Sequence, residues 1–133
     1  MSEAIESRRH KVVVVVDDSA ENLLFIVSLI ERHGYTVLSA SSGQACLSLI
    51  NRVSPRLILL DVQMPVMDGF ETCRRLRTNM ALRHVPIAFL TASKTSEDVR
   101  AGIGAGGNDF IVKPFDPKKL LERIDYWMSK HIR

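Results

Sequence analysis

The chain has 133 residues, the size of one ordinary domain, and its apolar share of 46% is enough to build a core. Its net charge of +3 includes no Lys/Arg stripe of the kind that tracks nucleic acid. No stretch is long enough to span a bilayer, and residues 1–10 are polar where a secretory signal would be apolar.

Residues 1–10 are expected to be disordered or extended, with Arg8, Arg9, His10 and Lys11 as solvated surface before a folded domain at 11–133. The run Val12–Val16 is β-branched throughout, without alternation, as in a strand buried on both faces of a parallel sheet. A helix follows over 21–33, with Leu23, Ile26, Val27 and Ile30 at helical spacing. Ser19 or Asn22 suits its start and Gly34 its end. A strand at 36–40 and a helix at 43–52 come next, the helix facing inward through Cys46, Leu49 and Ile50. After Pro55 a third strand covers 56–60, and a loop rich in Met, Pro, Asp and Gly covers 63–69. A helix over 70–78 would pack through Phe70, Cys73 and Leu76.

Pro86 opens a fourth strand, and Ser96, Glu97 and Asp98 start a fourth helix. That helix is poor in propensity, since Gly102, Gly104, Gly106 and Gly107 fall in or just after it, and it and the following loop are expected to be mobile. The fifth strand is 109–112. The last helix runs over 117–130, with Pro117 in its first turn and Leu120, Leu121, Ile124, Trp127 and Met128 as its buried stripe. Cys46 and Cys73 have neither metal spacing nor a pairing pattern. They read as small half-buried thiols in a reducing compartment, and a cytoplasmic setting is expected.

Five strand–helix units in a row imply an α/β, doubly wound (βα)5 sandwich with a parallel sheet. Ligands of such sheets bind at the carboxyl ends of the strands, where strand order reverses. Four apolar runs end in reactive side chains there: Asp17 and Asp18, Asp61, Thr91, and Lys113. Two carboxylates ~4 Å apart repel by about 4 kcal/mol at an effective dielectric of about 20. Three together call for a cation, and all-oxygen ligands favour Mg²⁺, with Mn²⁺ the other candidate, over zinc. Mg²⁺ held by few carboxylates usually serves phosphate. Lys113 would add a point charge for phosphate oxygens and Thr91 a hydroxyl. Asp61, alone at the end of a central run, is the best nucleophile, giving an aspartyl-phosphate. Asp17 and Asp18 look like the metal holders. Taken singly, Asp17, Asp18 and Ser19 could merely cap a helix, Asp61 a turn, Thr91 could satisfy a strand end, and Lys113 could be solvated.

At these residues the chain resembles the receiver domain of bacterial two-component response regulators. The motifs are Val-Asp-Asp-Ser at 16–19, Leu-Asp-Val-Gln-Met-Pro-Val-Met-Asp-Gly at 60–69, Leu-Thr-Ala at 90–92 and Val-Lys-Pro-Phe at 112–115. The resemblance implies a flavodoxin-like sandwich with strand order 2-1-3-4-5. It implies Mg-dependent transfer of a phosphoryl group from a histidine kinase or phosphotransfer protein to Asp61. Asp17, Asp18, Asp61 and the backbone carbonyl of Gln63 would bind the metal, and Thr91 and Lys113 would contact the phosphoryl oxygens. Thr91 and Phe110 would be the switch residues, Phe110 standing where many members carry Tyr, although plain core is a fair competing reading. Gln63 and Ser93 would tune loss of the phosphoryl group, and the Lys113–Pro114 bond would be cis. The face made by the fourth helix, fifth strand and fifth helix would be the output surface, for a downstream protein target or an output domain.

The implied role is a signalling domain that catalyses its own phosphorylation and dephosphorylation, not an enzyme with a separate substrate. Neither direct nucleic-acid nor membrane contact is expected, and phosphorylation-dependent dimerisation is left open. A non-phosphorylated interaction module is one alternative. A haloacid-dehalogenase-like phosphatase is another, weakened because Gln63 stands where that family needs a second acid. An FMN binder is disfavoured by Asp17 and Asp18 where a phosphate loop would lie. The chain ends soon after the fifth helix, which fits either a stand-alone receiver or one excised from a larger regulator or hybrid kinase.

Overall fold

The computed structural model describes residues 11–130. The expected extended segment at 1–10, with Arg8, Arg9 and His10, lies outside the described residues. Five strands, β1 Val12–Val16, β2 Thr36–Ala40, β3 Leu57–Asp61, β4 Ile87–Thr91 and β5 Asp109–Val112, alternate with five helices. The helices are α1 Ala20–Arg32, α2 Gly43–Ile50, α3 Gly69–Leu76, α4 Ser96–Gly104 and α5 Pro117–Ser129. All strand pairs are parallel, in the order β2-β1-β3-β4-β5. Strand order therefore reverses between β1 and β3, where Val16 pairs with Leu60. Among the described residues no helix is long and apolar enough to cross a membrane.

The continuous apolar runs arise because the central strands are covered on both faces. Val14, Val16, Ile58, Leu60 and Phe89 pack with Cys46, Ile50, Cys73 and Leu76 on the α2–α3 side. Val13, Val15, Leu57, Leu59 and Leu90 pack with Ile26, Ile30, Leu120 and Ile124 on the α1–α5 side. Burying one such side chain stabilises the fold by about 1.5–3 kcal/mol before the entropy cost of ordering it. Both cysteines are fully buried, not half-buried as expected from the sequence. Burial pushes the Cys46 thiol up to about 12, so it is inert at neutral pH.

Every helix starts on a side-chain cap. Ser19, Ser42, Asp68, Thr95 and Asp116 each accept a hydrogen bond from a backbone N–H of the first turn, a contact worth about 1 kcal/mol apiece. Ser19, rather than Asn22, caps α1. The helix ends fall within two residues of the expected positions, and a short 3-10 turn at Met80–Leu82 precedes β4, a detail the apolar spacing does not announce.

The glycines around α4 serve three different purposes. Gly106 has φ +102 and follows the helix end, where the Gly107 N–H reaches back to the Gly102 carbonyl at 2.9 Å. This closes the last turn in a left-handed cap. Gly102 and Gly107 lie where a Cβ would overlap the rings of Phe110 and Phe89 respectively, while a Cβ on Gly104 would meet nothing within 4 Å. The loop after α4 also receives side-chain hydrogen bonds. The half-buried Arg77 guanidinium, at the end of α3, donates to the carbonyls of Gly106, Leu82 and Val85 and to the Asn108 side chain, at 2.6–2.9 Å. The glycine content thus reflects close packing around two aromatic rings and a cap as much as weak helix propensity.

Candidate functional site

The strand ends converge at the carboxyl edge of the sheet, beside the reversal between β1 and β3. Asp17 directly follows β1 and is fully buried. One of its oxygens accepts from the Ser19 N–H at 2.9 Å; the other lies 3.4 Å from the Asn22 amide nitrogen and 3.3 Å from Lys113 Nζ. Asp61 is the last residue of β3 and is 4% exposed. Its Oδ1 accepts from Lys113 Nζ at 3.0 Å. Asp18 is exposed at the rim. Carboxylate oxygens of Asp17, Asp18 and Asp61 all lie within 4.8 Å of one another.

These residues, with Ser19, Asn22, Gln63 and Ala92, line a cleft of about 200 Å³. Backbone geometry shapes its floor. After Asp61 the chain doubles back, and the Gly69 N–H donates to the Val62 carbonyl at 2.8 Å. A Cβ on Gly69 would overlap the Asp61 carbonyl, so the return of this loop over the strand end requires glycine. At the loop tip Val66 is fully exposed with φ 71, and the Met67 N–H reaches the Pro65 carbonyl at 2.8 Å. This is a γ-turn that a β-branched residue adopts only under strain.

Charge is unbalanced in the cleft. Burial pushes the Asp61 carboxyl up to about 6, the charges of Asp17 and Asp18 push the same way, and Lys113 opposes them. Lys113 is instead held above its ordinary value, because its contacts with Asp61 and Asp17 outweigh its own burial. One ammonium thus faces two buried acids: it draws on both, while its opposition to the burial of Asp61 is incomplete. Three carboxylates against one ammonium leave an excess of two negative charges. The donors are all oxygens, with no His or Cys in the cluster, which fits a hard divalent cation of the Mg²⁺ type.

Thr91 ends β4 and is buried, but its hydroxyl is turned into its own loop. It donates to the Ser93 carbonyl at 2.7 Å and accepts from the Ser93 N–H at 3.1 Å. The Ser93 hydroxyl donates to the Asp98 carboxylate in α4 at 3.0 Å. Lys113 follows β5, its N–H donating to the Thr91 carbonyl at 2.8 Å, and the Lys113–Pro114 bond is cis. Phe110 is 7% exposed, with its ring 5.4 Å from that of Phe89. Its ring also packs against Gly102 of α4.

Asn22 and Gly69 are the site residues that a reading of the sequence passes over. Asn22 is one helical turn past its cap, which gave it a weak signal as a cap candidate. Gly69 stands at the end of the motif that starts with Leu60, but nothing local says which backbone it must approach.

The family model of the response regulator receiver domain matches residues 13–125. The probable transcriptional regulator ycf27 of Porphyridium aerugineum is 39% identical over 112 residues, which are 84% of this chain and 45% of that protein. The chain thus spans less than half the length of this relative. Among solved structures, the chemotaxis protein CheY4 of Vibrio cholerae superposes with a TM-score of 0.85 at 31% identity, over 87% of this chain and 97% of that one. The receiver domain of a sensor histidine kinase from Pseudomonas aeruginosa gives a TM-score of 0.83 at 29% identity, over 90% of this chain and 98% of that one. That protein has a magnesium ion coordinated in its active site cleft.

Proposed function

The chain belongs to the response regulator receiver domain family, and from that premise we propose that Asp61 is its phosphoacceptor in two-component signalling. The observation that carries this is the buried Asp61 carboxylate at the sheet edge, 3.0 Å from Lys113 Nζ and grouped with two further acids. The donor is the phosphohistidine of a histidine kinase or of a phosphotransfer protein, and the setting is the cytoplasm. An Asp61 oxygen bonds to phosphorus as the P–N bond breaks, and the electron pair leaves with the imidazole nitrogen, which takes up a proton. Asp17, Asp18 and Asp61, with the backbone carbonyl of Gln63, would hold Mg²⁺. When bound, the ion offsets the charge of the transferring phosphoryl group.

Lys113 pairs with the phosphoryl oxygens and holds the acceptor in line. Thr91 turns its hydroxyl from Ser93 to a phosphoryl oxygen. Phe110, packed under α4, responds to that movement, and the face of α4, β5 and α5 carries the change to a downstream target or output domain. Such a switch shifts the population of two arrangements of one fold. Attack of water on phosphorus, with Gln63 and Ser93 flanking the site, breaks the P–O bond to Asp61, returns its carboxylate and releases inorganic phosphate, which ends the signal.

The test is labelling by acetyl phosphate with Mg²⁺, read by intact-protein mass spectrometry. The wild type gains one phosphoryl group, and Asp61→Asn gains none. Equal labelling of that variant overturns the assignment.

A further inference from the structure

At the amino ends of β3 and β4, opposite the acidic cleft, a groove of about 320 Å³ opens beside the end of α5. Met80, Trp127 and Met128 form apolar wall, and Arg83, His84 and Lys130 stand around it; among the described residues no Asp or Glu lines it. Met80 is 66% exposed and presents its thioether side chain to the groove. The Trp127 N–H is already satisfied, donating to the Asp109 carboxylate at 2.7 Å. The indole is therefore held in place and offers the groove only its apolar ring. An apolar pocket with the cations Arg83 and Lys130 at its rim and the His84 imidazole beside them matches an apolar anchor side chain flanked by carboxylates.

We propose that this groove docks an acidic peptide segment of a partner protein, with a Leu or Phe anchor against Met80, Trp127 and Met128 and its carboxylates on Arg83, His84 and Lys130. A nucleic acid fits less well, since it needs a longer cationic track and several stacking faces, and the groove offers one indole. The surface is separate from the phosphoacceptor and does not depend on the reading of Asp61.

Trp127 is the only tryptophan in the chain, so its emission reports on the groove directly. The probe is a synthetic peptide, acetyl-Asp-Glu-Leu-Glu-Phe-Glu-Asp-amide, titrated into the full chain. A saturable change in Trp127 emission is expected. It should weaken roughly tenfold in Arg83→Glu/His84→Glu, and several-fold between about 50 and about 300 mM NaCl. Lys130→Glu, at the end of α5, provides a second variant should the double reversal perturb folding, and circular dichroism checks both. Labelling by acetyl phosphate should be unchanged in these variants, which separates failure here from failure at Asp61. The proposal is overturned by the absence of a saturable change. It is equally overturned if the same peptide with Lys in place of its acids binds as well, or if a single-stranded oligonucleotide saturates the signal where the acidic peptide does not.

Discussion

Lys113 Nζ lies 3.0 Å from an Asp61 oxygen and 3.3 Å from an Asp17 oxygen, so one ammonium from β5 bridges acids that end two other strands. It is the only counter-charge within the acid cluster among the described residues, and it competes with a divalent cation for the same oxygens. Lys113→Ala should therefore raise Mg²⁺ affinity, roughly tenfold after screening at this partly exposed site. The same variant should slow labelling by acetyl phosphate at least as much, because the phosphoryl oxygens lose their ammonium. Calorimetric Mg²⁺ titration and a labelling time course check the two signs. Unchanged metal affinity would remove the lysine from the charge balance.

Asp109 is a second ionic anchor, and it is structural. Its carboxylate accepts from Arg123 at 2.6 and 2.9 Å, from Trp127 at 2.7 Å and from the Phe110 N–H at 2.8 Å, tying α5 to β5. Burial alone would raise its pKa, but these donors outweigh it and hold the carboxyl below its ordinary value. A depressed folded-state pKa gives stability that is fully present above the unfolded value of about 3.9 and is lost as pH falls through the folded one. Asp109→Asn should thus cost about 1–2 kcal/mol at pH 7, discounted for the half-exposed Arg123. The gap between variant and wild type should narrow below about pH 4. Urea unfolding at the two pH values checks it, and a gap that widens in acid would contradict the assignment.

Within α4, two alanine substitutions should have opposite signs. Gly104→Ala enters open space on an exposed helix face and should stabilise by up to about 1 kcal/mol through helix propensity. Gly102→Ala gains the same propensity but forces a methyl into the Phe110 and Phe89 rings, and overpacking of this kind costs about 1–3 kcal/mol. Urea midpoints of the two variants decide it. Two stabilising results would mean that the Phe110 ring moves aside at little cost.

This pair of glycines also marks where the sequence stops being legible. The edge of the sheet was readable because each apolar run stops at a polar residue, and parallel strands must bring their carboxyl ends together; Asp17, Asp61 and Lys113 meet for that reason. Propensity treats Gly102, Gly104, Gly106 and Gly107 alike. Only the tertiary neighbours separate a packing glycine from a capping one and from an exposed one. Arg77 is hidden for the same reason. It follows Arg74 and Arg75 and looks like one more surface charge, yet its acceptors come from residues 82, 85, 106 and 108, which no local pattern connects. The two cysteines lie deeper than their spacing suggests because α2 packs on β2, α3 on β3 and the two helices on each other, at a depth that periodicity does not measure.

Thr91 supplies the last prediction. Its hydroxyl makes two hydrogen bonds to Ser93, one as donor to the carbonyl and one as acceptor from the N–H. It cannot keep its proton on the Ser93 carbonyl and donate it to a phosphoryl oxygen on Asp61. If Thr91 donates to the phosphoryl group as proposed, phosphorylation breaks at least one neutral hydrogen bond, worth about 1 kcal/mol, and forms a charge-assisted one roughly twice as strong. The net preference is small, so the switch at this residue should be a shift of populations. In ¹⁵N-edited spectra the Ser93 amide should move when acetyl phosphate and Mg²⁺ are added to the wild type. In Thr91→Val the hydroxyl is absent in both states, so the Ser93 amide should shift far less while Asp61 is still labelled. A Ser93 response of equal size in Thr91→Val would show that the loop moves for another reason, and would remove Thr91 from the path between Asp61 and α4.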